Sequence, residues 1–204
     1  TAIAADPAST AGLDAIVAGA AETAGTPSAI VHAVGSTLLK PAHAIGDAEL
    51  AEVLAVNATS AFAALRAFVR ALPRDAAGSV VLFSSAATRI GLVNHEAIAM
   101  AKGAVDGLVT SAAASYAGRG IRVNAIAPGL VRSNLTRRLV ENEATLRASV
   151  AMHPLGRIGE ADEIAALAAF LASPSASWIT GQVIVADGGL SAIKPPPQMT
   201  VTAR

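Results

Sequence analysis

The sequence predicts an α/β protein built on a doubly wound parallel sheet. Its candidate strands are continuous apolar runs rather than alternating ones, which indicates strands that are covered on both faces. Helical segments with capping signals separate these runs, so that strand and helix alternate along the chain. With 204 residues, of which 53% are hydrophobic and 15% charged, the chain predicts a single globular domain with a sizeable core.

The first half of the chain contains two strand and helix pairs. Residues 1–5 form a short apolar run that predicts a strand, and Ser9 or Thr10 then caps a helix that reaches about residue 23. Residues 28–35 (SAIVHAVG) predict a second strand, which ends at a glycine. Residues 47–71 predict a long amphipathic helix.

The same alternation continues to the C-terminus. Runs rich in β-branched residues predict further strands at 78–85 (GSVVLFSS), 121–126 and 182–186. A long helix that begins at Asn94 or His95 and ends near residue 117 lies between the first two of them, and residues 160–172 predict another helix. The largely polar segment 132–157 predicts a substrate lid, and residues 192–204, with three consecutive prolines, predict an irregular tail.

Composition excludes several classes of function. Fifteen basic and fifteen acidic residues cancel without a run of either sign, which argues against nucleic-acid and membrane-surface partners. The chain has no cysteine, so disulfides and thiolate catalysis are excluded. Its histidines are scattered and predict no metal site. The continuous apolar runs are too short for a membrane span, and we expect a cytoplasmic protein.

Polar and small residues follow three of the predicted strands. Gly35, Ser84-Ser85 and Pro128-Gly129 each stand at a strand's carboxyl end, which is where open parallel sheets bind their ligands. Lys102 closes the mostly apolar segment HEAIAMAK and shares a helix face with His95 and Ile98. The sequence therefore predicts a site at this edge of the sheet.

Seven motifs, in order and spacing, carry a resemblance over essentially the whole chain. They are VHAVG (31–35), VNATSAF (56–62), FSSAA (83–87), AKGAVDGL (101–108), GIRVNAIAPGLV (120–131), PLGRIGEADEIA (154–165) and ITGQVIVADGG (179–189). The chain resembles the short-chain dehydrogenase/reductase family, and most closely its 3-oxoacyl-acyl-carrier-protein reductase type. The resemblance implies a Rossmann-type fold and an oxidoreductase that uses NAD or NADP on a small-molecule carbonyl or alcohol.

The resemblance assigns catalytic roles to three residues. Asn57 matches the asparagine of the family's proton relay, Ser85 the serine that polarises the substrate oxygen, and Lys102 the lysine that holds the nicotinamide ribose. The family's tyrosine, the proton donor, falls at Ile98, thirteen residues after Ser85. His95, one turn earlier, is a candidate substitute acid, because imidazole titrates near neutral pH. Alternatively, His95 is only a helix N-terminal residue.

The resemblance also implies which residues contact the cofactor. They are Asp6, His32, Ala33, Gly35, Lys102, Pro128, Gly129, Val131 and Ser133. None of the 17 glycines forms the family's glycine-rich phosphate turn, and residue 1 aligns with the start of its third strand. We therefore expect this chain to lack the N-terminal βαβ portion of the complete domain.

The resemblance implies two alternative functions and a homo-oligomer. The first is a short-chain oxidoreductase with atypical or weakened acid catalysis; the alternative is an inactive member with a nucleotide-binding or structural role. We expect a homodimer or homotetramer in which the long helices pair across a two-fold axis. Small residues that would permit close helix approach are Ala63, Ala64, Ala67, Ala104, Gly107, Ala112, Ala113 and Ala114. Trp178 is expected in the core or an interface.

Overall fold

A computed structural model describes residues 2–194. The strands of its main sheet are β1 (Ala29–Val31), β2 (Gly78–Phe83), β3 (Ile121–Pro128) and β6 (Val183–Ala186). They pair in parallel in the order β1-β2-β3-β6. The short strands β4 (Val131–Arg132) and β5 (Gly159–Glu160) form a second parallel pair. The predicted parallel α/β class is confirmed.

Seven α-helices accompany these strands in the described part of the chain. They are α1 (Thr10–Ala24), α2 (Asp47–Leu54), α3 (Ser60–Ala71), α4 (Glu96–Tyr116), α5 (Arg137–Glu141), α6 (Glu143–Met152) and α7 (Ala161–Ala172). The Ser9 hydroxyl accepts a hydrogen bond from the Gly12 N–H and so caps α1, as predicted. The predicted bounds of the long helices agree with the structure to within two residues.

Both faces of the main sheet are covered. On one face, Val80 and Leu82 of β2 pack against α3 and α4. On the other face, the intervening Val81 packs against α7. All three side chains are completely buried, which explains why the strand reads as a continuous apolar run. Burying each such side chain contributes roughly 1.5–3 kcal/mol to folding.

Residues 2–5 do not form the predicted strand. A strand needs a neighbour to pair its backbone groups, and none of the described residues pairs with this segment. Ile3 instead packs on α1, where a Cβ added to Gly19 would lie 3.0 Å from its Cδ1 atom. The strand predicted at 28–35 is likewise shorter, because its ladder with β2 ends at Val31.

The predicted helix 47–71 is continuous, but a π-helical segment, Ala55–Thr59, separates α2 from α3. By length and composition this helix could cross a membrane, with a mean hydropathy of 1.3 over an 18-residue window. Half of that window is buried inside the protein. Buried core helices share this length and composition, so these two properties do not by themselves indicate a membrane span.

Segment 132–157, predicted to be a lid, contains α5 and α6. Residues 192–194 lie outside helices and strands, while the remainder of the predicted tail, 195–204, lies outside the described residues. Trp178 is 99% exposed, so the prediction of a core position was wrong.

The small residues predicted to line a subunit interface divide into two groups. Five of them are buried within the chain itself, where they pack against the sheet or α1, and are therefore unavailable to a partner: Ala63, Ala64, Ala67, Ala112 and Ala113. The other three lie exposed on α4: Ala104, Gly107 and Ala114. The prediction was wrong for the first group, because the small side chains permit close packing inside one chain.

Candidate active site

The carboxyl ends of β1, β2 and β3 lie side by side, since the three strands are parallel neighbours. Gly35, Ser85 and Gly129 follow these ends along the chain. The sheet topology therefore brings the three predicted groups to one edge, as a ligand crevice in an open α/β sheet requires.

Asn57 lies in the π-helical segment and is 1% exposed. Its Nδ2 donates to the Val53 carbonyl (2.9 Å) and to Ser36 Oγ (3.0 Å), and its Oδ1 accepts from the Ser36 N–H (3.1 Å). The Val53 carbonyl lies four residues earlier in the same continuous helix. An asparagine that is unfavourable inside an α-helix is thus fully hydrogen-bonded, and it fixes the loop after β1.

Lys102 is buried on α4, and its Nζ donates to the Phe83 carbonyl at the end of β2 (2.9 Å). No carboxylate within the described residues forms a salt bridge with it. Burial lowers the pKa of Lys102 to about 8. A Cβ added to Gly35 would lie 3.1 Å from Asn57 Oδ1 and 3.6 Å from Lys102 Nζ. Asn57, Gly35 and Lys102 therefore meet.

His32 is buried directly after β1, and its Nε2 lies 2.9 Å from Ser60 Oγ. The Ser60 hydroxyl donates its proton to the Val56 carbonyl, so the His32 Nε2–H must be the donor to Ser60 Oγ. Burial, assisted by the charge on Lys102, lowers the pKa of His32 to about 4. The imidazole is therefore neutral at physiological pH. Sequence reasoning missed Ser60, although it lies one helical turn after Asn57.

The two serines after β2, Ser84 and Ser85, differ in their hydrogen bonds. Ser85 Oγ accepts a hydrogen bond from the Ala87 N–H (3.2 Å) and caps a short 3₁₀ turn, Ala86–Thr88. Because the hydroxyl proton is not used in this contact, the capping role leaves Ser85 able to donate to a substrate oxygen. Ser84 is buried, and its Oγ has no hydrogen-bond partner in the described part of the chain.

Ile98 is 6% exposed and belongs to an apolar cluster with Val53, Ala97 and Ala101. The position where the resemblance expects a phenol is therefore filled by a packed alkyl side chain. His95 is the N-cap residue of α4, and its Nδ1 lies 2.8 Å from the Val93 carbonyl. This contact ties the ring to the preceding loop and leaves Nε2 as its free nitrogen.

The remaining predicted cofactor residues lie at the strand ends or at the start of α1. Asp6 is exposed, and its Oδ1 accepts from the Ala8 N–H (2.9 Å). Ala33 is exposed beyond β1. Ser133, also exposed, hydrogen-bonds with Thr136. Pro128 and Val131 are partly buried in β3 and β4. Among the predicted cofactor residues, Gly35 and Lys102 lie beside each other, together with Asn57.

Gly129 has a neighbour that sequence reasoning set aside. A Cβ at Gly129 would lie 2.7 Å from His153 Nε2 and 3.0 Å from Asp187 Cα, so only glycine fits. The buried His153 accepts from the Leu130 N–H (3.3 Å), and its Nδ1 donates to the Ser149 carbonyl (2.7 Å). His153 therefore joins α6 to the turn after β3. In the sequence, the one signal that this position has a restricted backbone is Pro154, which follows His153.

The fold defines a parallel α/β protein whose predicted site lies beyond the carboxyl ends of its strands. In residues 2–194, no group of acidic residues and histidines could hold a metal. The profile of a family described as enoyl-(acyl carrier protein) reductase matches residues 1–191. The chain belongs to the short-chain dehydrogenase/reductase family.

Individual proteins that are similar to this chain are named as dehydrogenases or reductases. The chain is 42% identical over 171 residues to galactitol 2-dehydrogenase (L-tagatose-forming) of Cereibacter sphaeroides, a match covering 83% of this chain and 67% of the relative. It is 35% identical over 195 residues to inactive 2-(S)-hydroxypropyl-CoM dehydrogenase 2 of Xanthobacter autotrophicus, covering 94% and 85%. A match to an Arabidopsis thaliana tropinone reductase homologue, At5g06060, spans only 61% of that protein.

Solved structures show the same fold. A short-chain type dehydrogenase/reductase from Mycobacterium ulcerans superposes with a TM-score of 0.87 at 30% identity, covering 94% of this chain and 70% of the other. Matching structures from Agrobacterium tumefaciens and Beutenbergia cavernae, at 29% and 33% identity, are described as having NADP bound.

The residues around Lys102 fit the nicotinamide end of such a cofactor. The ammonium uses one donor on the Phe83 carbonyl and keeps two, which is enough for a ribose hydroxyl and one further acceptor in the crevice. It carries a buried charge without a carboxylate partner in residues 2–194, and the bare Gly35 beside it leaves room for a ligand. No glycine-rich phosphate turn occurs within residues 2–194.

Proposed function

We propose that the chain acts as an oxidoreductase that moves hydride between NAD or NADP and the carbonyl or alcohol group of a small molecule. The observation that carries this proposal is the buried Lys102 ammonium, which meets Asn57 and Gly35 at the carboxyl edge of the sheet. A lone buried cation is costly for folding, and such groups concentrate at functional sites.

Each residue of the crevice has a chemical task. The nicotinamide supplies or accepts the hydride when it is bound. Ser85 donates its free hydroxyl proton as a hydrogen bond to the substrate oxygen, and the Lys102 charge stabilises negative charge that develops there. Asn57 holds the loop after β1 through Ser36, which keeps Gly35 beside Lys102. His32 is neutral, so it adds no second positive charge beside the ammonium.

A second candidate function is a nucleotide-binding protein without catalysis. Ile98 favours it, because the buried alkyl group can neither give nor take a proton. The relative whose name includes the word inactive matches 94% of the chain, which also supports this candidate.

The experiment separates binding from chemistry. NADH and NADPH are titrated into the purified protein with nicotinamide fluorescence as the readout, and single-turnover reduction of ketones and ketoses, including L-tagatose, is then followed at 340 nm. Binding with hydride transfer supports the oxidoreductase. Binding without transfer across the panel supports the non-catalytic function, and failure of both cofactors to bind contradicts the oxidoreductase and any binding of a nicotinamide nucleotide.

The chain's assembly and location belong to the same proposal. The exposed small residues of α4 (Ala104, Gly107 and Ala114) support a homodimer or homotetramer with α4 helices in close contact. The balanced charge and the absence of cysteine in the sequence support a cytoplasmic location. Neither nucleic acid nor membrane is proposed as a partner.

A further inference from the structure

The crevice has few groups that can supply the proton which carbonyl reduction consumes. Ile98 has no ionisable group, and a serine hydroxyl such as that of Ser85 is too weak an acid to give up a proton on its own. The neutral His32 imidazole uses its Nε2–H on Ser60. His95 lies at the N-cap of α4, with its ring tied to the Val93 carbonyl. Of the crevice groups in residues 2–194, the Lys102 ammonium remains, and it lies where α4 meets the ends of β1 and β2.

We propose that the Lys102 ammonium is itself the acid of this site and gives its proton to the reduced substrate oxygen. The inference rests on the proposed oxidoreductase function and names a role for Lys102 beyond holding the cofactor. The Lys102 Nζ donates to the Phe83 carbonyl and lies next to Gly35 in the crevice. Its other two protons have no hydrogen-bond partner in the described residues.

The surroundings of Lys102 weaken its hold on these protons. His32 faces it from the end of β1, Asn57 from the π-helical segment, and the Phe83 carbonyl from β2. Only His32 among them titrates, and it is neutral above about pH 4. No carboxylate of residues 2–194 forms a salt bridge with the ammonium, and burial lowers its pKa to about 8, within reach of physiological pH.

The proton transfer balances without any further reactant. The carbonyl carbon receives hydride from the reduced nicotinamide, and the former π pair of the carbonyl remains on its oxygen. One N–H bond of Lys102 breaks, its electron pair stays on Nζ, and the proton forms the O–H bond of the alcohol. Solvent water then protonates the neutral amine again. The reverse sequence serves alcohol oxidation.

A titration of the lysines tests the acid directly and needs no substrate. The chain's lysines are Lys40, Lys102 and Lys194, so their ε-carbons labelled with ¹³C give a spectrum with few signals. We expect one signal, absent from Lys102→Arg, to titrate near pH 8. A Lys102 signal with a midpoint near 10.5 would overturn the proposal whatever the activity.

The rate of hydride transfer in Lys102 variants gives a second test. Lys102→Arg keeps a charge and donors but holds its protons too tightly to release them, and we expect a loss of hydride transfer of about 10²-fold or more, with cofactor still bound. Added primary amines should restore part of the transfer in Lys102→Ala, with a rate that depends on the pKa of the amine. The matched control is Lys194→Arg, at an exposed lysine outside the helices and strands, which should transfer at the wild-type rate.

The outcomes separate this inference from the function on which it rests. Full transfer by Lys102→Arg with an unchanged pH profile overturns the acid role but keeps the oxidoreductase. If His95→Gln then removes the transfer and its pH dependence, His95 is the acid instead. Binding of neither NADH nor NADPH to the wild-type protein overturns the oxidoreductase and the acid role with it.

Discussion

At the scale of single residues, the site combines groups that favour chemistry over stability. Lys102 and His32 are both buried, and each has its pKa lowered by burial. Ile98, in contrast, fills its place among apolar neighbours at no electrostatic cost. The position that departs from the family's tyrosine is therefore a packed apolar one, whereas Lys102 and His32 carry the electrostatic cost of burial.

The first prediction concerns the burial cost of Lys102. Its folded pKa of about 8 lies below the ordinary 10.5, so between these pH values the unfolded chain binds a proton that the folded chain lacks. Stability should rise with pH across this window, and the full cost, on the order of 3 kcal/mol, should apply below pH 8. Lys102→Met should therefore raise the free energy of unfolding at pH 7 and abolish the rise, as measured by urea titration. Lys194→Met should change neither quantity.

The second prediction concerns the missing phenol. In Ile98→Tyr the hydroxyl would stand on the helix face of Lys102, so single-turnover reduction should accelerate in protein that binds cofactor. The larger ring should also cost about 1–3 kcal/mol, because Ile98 is tightly packed. Ile98→Phe is the matched control, with the same bulk and no hydroxyl. Equal rates for the two variants would show that the crevice cannot use a phenol there.

At the scale of elements, the π-helical segment Ala55–Thr59 decides the shape of the site. It turns Asn57 inward, and the amide hydrogen-bonds both the Val53 carbonyl and the loop at Ser36. A regular α-helix would have used the Val53 carbonyl for its own ladder. The irregular turn thus links the long helix to the strand end that carries Gly35.

The third prediction tests this link. Asn57→Ala leaves the Ser36 N–H and the Val53 carbonyl without their side-chain partner, and each should cost about 1–3 kcal/mol. We expect lower stability and faster hydrogen exchange at the Ser36 amide, measured by NMR. Thr59→Ala, at an exposed position of the same segment, is the control and should leave both unchanged. Unchanged exchange in Asn57→Ala would mean that the loop is held by other contacts.

At the scale of the whole molecule, the sheet of residues 2–194 has β1 and β6 as its outer strands, and α4 presents a face of small side chains. Gly107 on this face has no neighbouring atom within 4 Å of an added Cβ. A large residue therefore fits there in a single chain but not in a contact between two close helices.

The fourth prediction uses this difference. Gly107→Arg should reduce the mass measured by light scattering at micromolar concentration toward that of a single chain, while its circular dichroism stays that of the wild type. Ala18→Arg, at an exposed position on α1, is the matched control and should keep the wild-type mass. A wild-type protein that is already monomeric would contradict the proposed oligomer.

The sequence by itself determined the parallel α/β class, the order of strands and helices, and the position of Asn57, Ser85 and Lys102 relative to them. Periodicity, caps and motif spacing are local signals that a single chain displays directly. The same local signals failed at residues 2–5, because an apolar run becomes a strand only beside a partner.

Only the tertiary structure decided the charge, the hydrogen bonds and the packing of these side chains. The neutral His32, the lowered pKa of Lys102 and the packing of Ile98 all depend on burial and on neighbours far away in the sequence. His153 and Ser60 became visible as partners only when their elements met. Charge, tautomer and free volume are set by what surrounds a side chain, and this is a property of the fold rather than of the order of residues.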